Sequence, residues 1–371
     1  MAQNTKIEWA HPPGYRGDTW NCVRGCSRVS RGCEHCYAET VAHRFDGPGL
    51  PYEGLTVVGN NGPRWNGEVR FVEERLLDPI RRKVPTCYFV NSMSDLFHEK
   101  LSFDIIDKIF AVMALTPRHI YQVLTKRPER MREYFNSDHR FLSIEMAADM
   151  ICLQNFNHGT FLDTKLYPFP NVWLGVSVED QKTADERIPI LFDTPAAIRW
   201  ISAEPLLGPI DLTAIKTVRE SVEGVYHDPK DLENQLTIDA LNGHTIDGNK
   251  KGWSWSTGLG WAVVGGESGN GSRPMHPDWA RVLRDQCKSA GVPFFFKQWG
   301  SWQDGSNANM HESGAILLDG RYFSDDAWEA VKRIPKDEWY ANKPTVVSRV
   351  GKAVAGHLLD GVEHFAYPNL L

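Results

Sequence analysis

Short apolar runs recur along the first 300 residues, and polar residues and then a segment with helical spacing follow most of them. Such runs, rich in β-branched and aromatic residues, are typical of strands buried on both faces. The pattern predicts six of these strands, at 87–91, 120–124, 172–178, 197–202, 261–264 and 293–296, and a short first strand at 7–9.

Apolar positions at helical spacing predict helices at 38–45, 71–82, 103–115, 129–135, 143–155, 183–191 and 277–290. Residues 46–68, rich in Gly, Pro and Asn, are predicted to be a long loop. Strands that alternate with helices imply a parallel sheet with right-handed crossovers. The sequence therefore predicts an α/β fold with a parallel β/α barrel over 1–300. It also predicts an insertion at about 211–257 and a C-terminal appendage over 301–371 packed on the barrel.

Polar side chains close almost every predicted strand. In a parallel β/α barrel these strand ends share one face, where active sites are built. The alternative is that each side chain only caps a helix or meets solvent. The residues at these ends are Asp95, Lys126, Glu179, Glu204, Glu267, Lys297 and Gln298.

The composition is that of an ordinary soluble globular protein, with 42% hydrophobic and 24% charged residues among 371. A formal net charge of -6 argues against a broad electrostatic grip on nucleic acid, although a local basic groove is compatible with it. No apolar run approaches a membrane span, and the N-terminus lacks a signal-peptide pattern. Seven cysteines, four of them clustered, fit a reducing cytoplasm. We therefore expect a cytoplasmic protein without a membrane partner.

Four of the seven cysteines fall between residues 22 and 36, which indicates a metal or cluster site. Cys22, Cys26, Cys33 and Cys36 together can close the tetrahedral shell of a structural zinc ion. Alternatively, three cysteines hold an iron–sulfur cluster and leave one iron open. Reduced thiols without metal are the third interpretation. Tyr37 follows the last cysteine directly, and its ring can stack on an adenine.

Seven motifs, in order, resemble a phage-associated three-cysteine protein family whose molecular role is unassigned. That family is similar to the radical S-adenosylmethionine enzymes, and within them to spore photoproduct lyase. The resemblance covers about residues 5–300, with weaker agreement near 350–361. Its motifs are Cys26-x6-Cys33-x2-Cys36-Tyr37 and the segments at 91–98, 124–128, 172–179, 202–209, 265–269 and 294–300.

The resemblance implies a partial or full TIM-like barrel in which Cys26, Cys33 and Cys36 hold a [4Fe–4S] cluster. The open iron of that cluster binds S-adenosylmethionine, and reductive cleavage yields a 5′-deoxyadenosyl radical that removes hydrogen from a substrate. The implied cofactor-binding residues are Tyr37 for the adenine, Ser92, Ser94 and Asp95 for the amino group, Lys126 or Arg127 for the carboxylate, and Ser177 and Glu179 for the ribose. The implied catalytic residues at the barrel mouth are Glu204, Glu267 and Lys297.

The cysteine spacing departs from the usual Cys-x3-Cys-x2-Cys of these enzymes, because six residues separate Cys26 from Cys33. Cys22 is additional, and the pair Cys22-x3-Cys26 imitates the usual first spacing. A fourth cysteine ligand would close the cluster and block the cofactor. Whether Cys22 is a ligand is therefore open at this point.

The leading hypothesis is a radical enzyme that modifies or repairs a nucleic acid or nucleotide and receives electrons from a reductant protein. Support for this substrate comes from the kinship with a DNA-repair lyase, and from side chains that look available for phosphates or bases. These are Arg127, Arg130, Arg132, Trp65, Trp253, Trp255, Trp299 and Trp302.

Two other classes of function compete with this hypothesis. One is a zinc-stapled barrel that binds nucleic acid or a partner protein without catalysis. The other is a metal-dependent hydrolase that uses Asp95, His98, Glu204 and Glu267, although no His-x-x-x-His or paired-carboxylate spacing supports it.

Overall fold

The structure is a computed structural model that describes residues 5–60, 62–156, 158–160, 162–218, 235–245, 257–305, 312–324, 327–332 and 334–369. Trp253, Trp255 and part of the predicted insertion lie outside these ranges. The chain divides into two units. The first comprises 1–176 and 193–200 with residue 371, and the second comprises 177–192 and 201–370. Within the described residues, no helix has the length and apolarity needed to cross a lipid bilayer.

The strands in chain order are β1 Arg16–Trp20, β2 Val23–Arg24, β3 Thr56–Gly59, β4 Gly62–Trp65, β5 Arg70–Phe71, β6 Thr86–Val90, β7 Ile120–Thr125, β8 Val172–Ser177, β9 Ile198–Ala203, β10 Ile215–Val218, β11 Gln235–Asp239, β12 His244–Thr245, β13 Trp261–Gly265, β14 Phe294–Gln298, β15 Trp302–Asp304, β16 Ser313–Ile316, β17 Tyr322–Ser324 and β18 Thr345–Arg349. The α-helices are α1 Tyr37–His43, α2 Asp78–Arg81, α3 Phe103–Leu115, α4 Pro128–Phe135, α5 Arg140–Phe156, α6 Gln181–Phe192, α7 Pro277–Ala290, α8 Ala327–Lys332, α9 Lys336–Asn342 and α10 Lys352–Ala355. Short 3-10 turns occupy Glu8–Ala10, Arg31–Cys33, Glu73–Arg75 and Thr164–Leu166.

The principal sheet has seven strands in the order β1-β6-β7-β8-β9-β13-β14. The pairs β1-β6, β6-β7, β7-β8 and β13-β14 are parallel. The six apolar runs predicted as strands are all strands of this sheet, so the predicted α/β class is confirmed. A full eight-stranded barrel is not shown.

The predicted first strand at 7–9 is wrong, because Glu8–Ala10 forms a 3-10 turn. The first strand is instead β1, whose sequence Arg-Gly-Asp-Thr-Trp does not look like a buried strand. This segment is a strand because it pairs in parallel with β6. The buried Asp18 forms an ion pair with Arg82 at 3.2 Å. Trp9 packs on the sheet, with its ring centroid 4.6 Å from that of Phe89.

Two other expectations for the first unit need correction. The predicted loop at 46–68 contains the antiparallel hairpin of β3 and β4. The predicted helix at 71–82 is broken into the 3-10 turn at Glu73–Arg75 and the single turn α2, which has Pro79 near its start. The hairpin matters for the cysteine loop, since Trp65 of β4 packs with Ala38 and Ala42 of α1 in one apolar cluster.

The second unit carries two small antiparallel sheets besides the strands of the principal sheet. One is β10-β11-β12, which lies within the predicted insertion, and the other is β15-β18-β16-β17, which lies within the predicted appendage. Helix α7 follows the boundaries predicted for it. His276 caps its N-terminus by accepting the Asp278 N–H at 3.1 Å, and Gly291 ends it in a left-handed conformation.

Candidate functional sites

The cysteine loop begins at the C-terminal edge of β6. Gly25 pairs with Ser94 there and has a φ of +91°, a conformation that favours glycine. A Cβ at this position would lie 2.1 Å from the carbonyl oxygen of Glu68, so only glycine fits. Gly32, which also precedes a cysteine, lies in a 3-10 turn. Gly25 therefore sets the path of the loop.

Three of the clustered cysteines, Cys26, Cys33 and Cys36, lie half-buried in this loop. Burial is the main cause that raises the pKa of Cys26 to about 12 and that of Cys36 to about 11. The charges of Cys36 and Cys33 also raise the pKa of Cys26, and Cys33 acts in the same way on Cys36. Cys26 and Cys36 pack against the apolar cluster that contains Trp65. The resemblance implied these three cysteines as cluster ligands, and that role stays a prediction.

Cys22 has different surroundings. It is fully buried, and its thiol donates to Oδ1 of Asn91 at 3.9 Å. Burial raises its pKa, and the charges that act on it come from Asp78 and Arg75. Cys22 thus resembles Cys87, Cys152 and Cys287, which are also buried, and no cysteine forms a disulfide.

A single zinc ion and an iron–sulfur cluster require different arrangements of the cysteine sulfurs. Tetrahedral zinc with Zn–S bonds of about 2.3 Å places its sulfurs roughly 3.8 Å apart. In the part of the chain that the structure describes, no group of three or more His, Cys, Asp or Glu side chains is arranged to hold a single metal ion. Three thiols that bind different irons lie farther apart than those around one ion. An iron–sulfur cluster takes thiolate ligands, and the loop carries three candidates for them in Cys26, Cys33 and Cys36.

Arg127 connects this loop to the ends of two strands. Its guanidinium is 5% exposed and donates to Oε1 of Glu99 at 2.8 Å and to Oδ2 of Asp95 at 3.2 Å. It also donates to Oγ of Ser27 at 2.7 Å and to Sγ of Cys26 at 3.9 Å. Burial by itself would lower the pKa of Arg127, but the charges of Asp95 and Cys26 raise this pKa by more. The guanidinium therefore stays protonated. A buried cation therefore contacts the sulfur of Cys26.

Asp95 was predicted to bind a cofactor, but the protein itself uses its acceptor positions. Oδ1 accepts from the Phe97 N–H at 3.0 Å and from Oγ1 of Thr125 at 2.8 Å. Oδ2 accepts from the Lys126 N–H at 3.1 Å and from Arg127. A carboxylate offers about four such positions. Asp95 therefore orients Arg127, and its cofactor role stays a prediction.

His98 lies beneath the loop in a neutral form. Its pKa is lowered chiefly by burial and then by Arg127. Nδ1 accepts from the Lys100 N–H at 3.2 Å, so Nε2 carries the proton and donates to Oγ of Ser27 at 2.9 Å. Both ring nitrogens are thus engaged, which argues against His98 as the metal ligand of a hydrolase.

A second ion pair fastens the loop to α1. Arg28 donates to both carboxylate oxygens of Glu39, at 2.9 and 2.5 Å. Glu39 is buried and also accepts the N–H of Trp65 at 3.1 Å. Sequence reasoning missed this pair, whose only signal was a charged residue on the apolar side of a short helix. The loop is therefore held in place by its own side chains.

The other predicted cofactor residues of the first unit lie around the same edge. Tyr37 begins α1, is 53% exposed, and donates its hydroxyl to the carbonyl of Ser92 at 2.8 Å. Ser94 donates to the carbonyl of Val23 at 2.9 Å. Ser92 donates to Oδ1 of Asn21 at 3.2 Å. The Tyr37 side chain is thus more than half exposed, and its role in binding an adenine stays a prediction.

Two of the carboxylates at strand ends in the second unit, Glu179 and Glu267, form ion pairs with arginines. Glu179 is 1% exposed and accepts from Nη1 of Arg187 at 3.2 Å, and the same arginine donates to the carbonyl of Ser177 at 2.7 Å. Glu267 accepts from Nη2 of Arg273 at 2.7 Å and from its Nε at 2.9 Å. These carboxylates serve structural pairs, and their functional roles stay predictions.

Glu204 and Lys297 form a more open pair. Nζ of Lys297 donates to Oε1 of Glu204 at 2.8 Å, and both side chains keep 15–18% exposure. Gln298 donates weakly to the same oxygen at 3.4 Å. A Cβ at Gly265 would lie 3.3 Å from this oxygen. Glu204 and Lys297 thus form an ion pair that keeps some exposure, and their catalytic roles stay predictions.

Three of the tryptophans expected to stack on bases are buried, so the expectation that Trp65, Trp299 and Trp302 are exposed is wrong. Trp65, Trp299 and Trp302 are 3–8% exposed, and the Trp299 and Trp302 indoles each donate to a backbone carbonyl at 2.8 Å. Arg130 stacks on Phe103 with its guanidinium carbon 4.5 Å from the ring centroid. Large rings were drawn into the core because burying them contributes most to stability.

The sequence profile of a family described as "Protein of unknown function (DUF5131)" matches residues 4–368. Neither a curated protein nor a solved structure matches the chain.

Proposed function

Because the chain belongs to the DUF5131 family, whose description assigns no chemistry, we propose a function from its sites. We propose that this protein is an iron–sulfur enzyme of the radical S-adenosylmethionine type on a partial TIM-like β/α barrel. Cys26, Cys33 and Cys36 would hold a [4Fe–4S] cluster, and Cys22 would remain a core thiol.

One observation carries this proposal. Cys26 and Cys36, with Cys33 between them in one short loop, pack against the apolar cluster that contains Trp65, whereas Cys22 is fully buried and donates its thiol to Asn91. Three ligands match a cluster that keeps one iron for a cofactor, and four would close it. The distinction between three and four was open in the sequence.

When bound, the cluster and S-adenosylmethionine would supply reductive cleavage of the sulfonium and an organic radical that removes hydrogen from the substrate. The residues of this chain would provide the surroundings. Arg127 donates to the sulfur of Cys26. Ser27 and Glu39 hold the loop in place through their bonds to arginines, and Tyr37 would offer its exposed ring to the adenine. In the second unit, Glu204 and Lys297 would hold or transfer a proton.

The proposed substrate is a nucleic acid or a nucleotide, and a reductant protein would supply the electron. This part depends on the resemblance to a DNA-repair lyase alone. Three of the candidate tryptophans are buried, and the net charge of -6 argues against a broad electrostatic grip on polyanions. A nucleotide or a short single strand fits these observations better than a long duplex.

The test begins with anaerobic reconstitution using iron and sulfide. We expect about four irons per chain and, after dithionite reduction, a paramagnetic [4Fe–4S] signal that changes when S-adenosylmethionine is added. Cleavage to 5′-deoxyadenosine and methionine is measured by chromatography. Cys26→Ser, Cys33→Ser and Cys36→Ser should each lose the cluster.

Cys22→Ser and Cys152→Ser serve as matched controls and should retain it. One zinc and no iron in protein purified without oxygen would refute the proposal and favour the zinc-stapled, non-catalytic protein. Loss of the cluster in folded Cys22→Ser would show that four cysteines are ligands.

A further inference from the structure

Four basic residues lie where three neighbouring strands of the principal sheet begin. Strands β1, β6 and β7 are parallel neighbours, so the residues at their starts share one edge of the sheet. Arg16 is the first residue of β1, Arg81 and Lys83 precede β6, and Arg118 precedes β7. Neighbouring strands are about 4.8 Å apart, so the three strand starts span about 10 Å. We call these four residues the basic edge.

Hydrogen bonds hold the members of the basic edge together. The Arg118 guanidinium donates through Nη2 to the carbonyls of Pro79 and Arg82, at 3.2 and 2.9 Å, and through Nε to the second of these at 3.0 Å. The Arg16 N–H donates to the carbonyl of Pro85 at 3.1 Å. Within the described residues, Nη1 of Arg118 makes no hydrogen bond. A guanidinium fixed in this way can donate to a ligand without reorganisation.

Acidic residues neutralise little of this charge. Asp78 is 3.7 Å from Arg81, but it binds Arg75 more closely, at 2.9 Å. Lys83 and Arg118 are exposed, and neither forms an ion pair with another described residue. Exposed ion pairs of this kind contribute little free energy, so Arg81 is also available to another anion. The basic edge is therefore a local positive surface on a protein whose formal net charge is -6.

One donor of the basic edge lacks an acceptor. Nε of Arg16 is buried and has no hydrogen-bond partner in the part of the chain that the structure describes. Buried donors without a partner are rare, and each indicates a water, an ion or a ligand that completes the bond. Three of the four cations are arginines, and a planar guanidinium binds a phosphate through two parallel hydrogen bonds. A phosphate-bearing ligand therefore fits the basic edge.

We propose that the basic edge binds the phosphate backbone of a single-stranded nucleic acid. The choice of a nucleic acid rests on the proposed function, in which a nucleotide or a short single strand is the substrate. Phosphates repeat about every 3.4 Å along one strand, so a row of cations contacts several of them at once. A membrane surface would also need apolar side chains, and Val84 is the only large apolar residue exposed between residues 76 and 90.

The position of the basic edge predicts the length of the strand that binds. The basic edge and the cysteine loop lie at opposite ends of β6, whose five residues extend over about 17 Å. At about 3.4 Å per nucleotide, a mononucleotide cannot reach both, whereas a strand of about five nucleotides or more can. The basic edge would hold the backbone while one nucleotide lies at the loop. Affinity should therefore increase with strand length up to at least about five nucleotides.

The test is the fluorescence anisotropy of a labelled 12-nucleotide oligothymidylate with the full-length protein before any cluster is reconstituted. If about three phosphates are contacted, the logarithm of the association constant should fall with the logarithm of the salt concentration with a slope of about -2. Binding should then weaken about fifteenfold between roughly 50 and 200 mM salt. Thymidine monophosphate should compete about tenfold more weakly or worse, because it cannot occupy several contacts at once.

Substitutions locate the binding surface. Arg81→Ala and Lys83→Ala should each reduce the magnitude of the slope by about 0.7, and the double variant should bind about tenfold more weakly at low salt. Lys182→Ala is the matched control, since Lys182 is also an exposed lysine, and it should change neither value. Circular dichroism and the unfolding midpoint confirm that each variant is folded.

Four outcomes would overturn the proposal. The first two are no binding at low salt and an unchanged affinity in the double variant. Equal competition by poly-L-glutamate would indicate an acidic protein instead, and binding to phosphatidylserine vesicles that the double variant loses would indicate a membrane. Because the assay needs no cluster, a failed reconstitution would refute the proposed function and leave this result standing. A lack of oligonucleotide binding would likewise leave the cluster untouched.

Discussion

At the residue scale, Arg127 is the side chain on which the cysteine loop depends most. It makes contacts with Cys26 and Ser27 in the loop and with Asp95 and Glu99 after β6. The resemblance implied a role in binding a cofactor carboxylate. The structure gives this guanidinium four protein partners, which is the pattern of a residue that positions others.

Replacing Arg127 tests that role in the protein without any cofactor. Arg127→Gln should lower the free energy of unfolding by about 3–5 kcal/mol, because Asp95 would remain buried without its cation. Urea denaturation measures this change. The control is Arg132→Gln, whose partner Asp193 is 3.6 Å away and half exposed, and it should cost less than about 1 kcal/mol. Equal losses in the two variants would contradict the positioning role.

At the element scale, backbone segments after β13 and β14 lie against each other at glycines. A Cβ at Gly266 would lie 2.0 Å from the carbonyl oxygen of Trp299, and one at Gly300 would lie 2.1 Å from that of Glu267. These glycines allow the two strand ends to approach closely, next to the Glu204 and Lys297 pair. Because of this close approach, neither Gly266 nor Gly300 can be replaced by a larger residue without moving the opposite backbone.

Replacing Gly266 tests how much the close approach of the two strand ends contributes to stability. Gly266→Ala should lose about 3 kcal/mol or more, because a backbone carbonyl cannot move aside as a side chain can. Gly59→Ala is the control, since its Cβ would meet only the flexible side chain of Arg64 at 3.3 Å. Thermal unfolding of both variants checks the prediction, and a Gly266→Ala variant as stable as the wild type would contradict it.

At the scale of the whole molecule, buried neutral histidines occur in both units. Burial lowers the pKa of His98 and His119 in the first unit and of His276 in the second. His119 is fully buried, accepts the Thr86 N–H at 3.1 Å and has its Nε2 3.0 Å from the carbonyl of Pro79. Protonating Nδ1 would break the first of these bonds.

These histidines predict how stability responds to acid. The unfolded chain takes up protons near pH 6.5, whereas the folded histidines resist protonation, so stability falls as the pH drops below about 6.5. Each histidine contributes up to about 1.4 kcal/mol per pH unit in that window. Urea denaturation between pH 7.5 and 5.5 measures the slope. His119→Gln should give a shallower slope than the wild type, and an unchanged slope would exclude His119 as a contributor.

Periodicity in the sequence determined most of the principal sheet. Six apolar runs are long and continuous enough that burial alone makes them strands, and α3 and α7 follow their predicted bounds. The cluster of four cysteines between residues 22 and 36 is likewise visible in the sequence, and the resemblance implied Cys26, Cys33 and Cys36 as the ligands. These features are local, since neighbouring residues in the chain are enough to define them.

Tertiary structure decided the features that depend on partners far away in the chain. β1 is a strand because β6 pairs with it, and Cys22 differs from the other loop cysteines because Asn91 and Asp78 surround it. Asp95 and Glu267 looked like free acids and are held by arginines. A buried charge is stable only when an opposite charge lies beside it. That partner comes from a distant part of the chain, so the spacing of residues in the sequence does not reveal it.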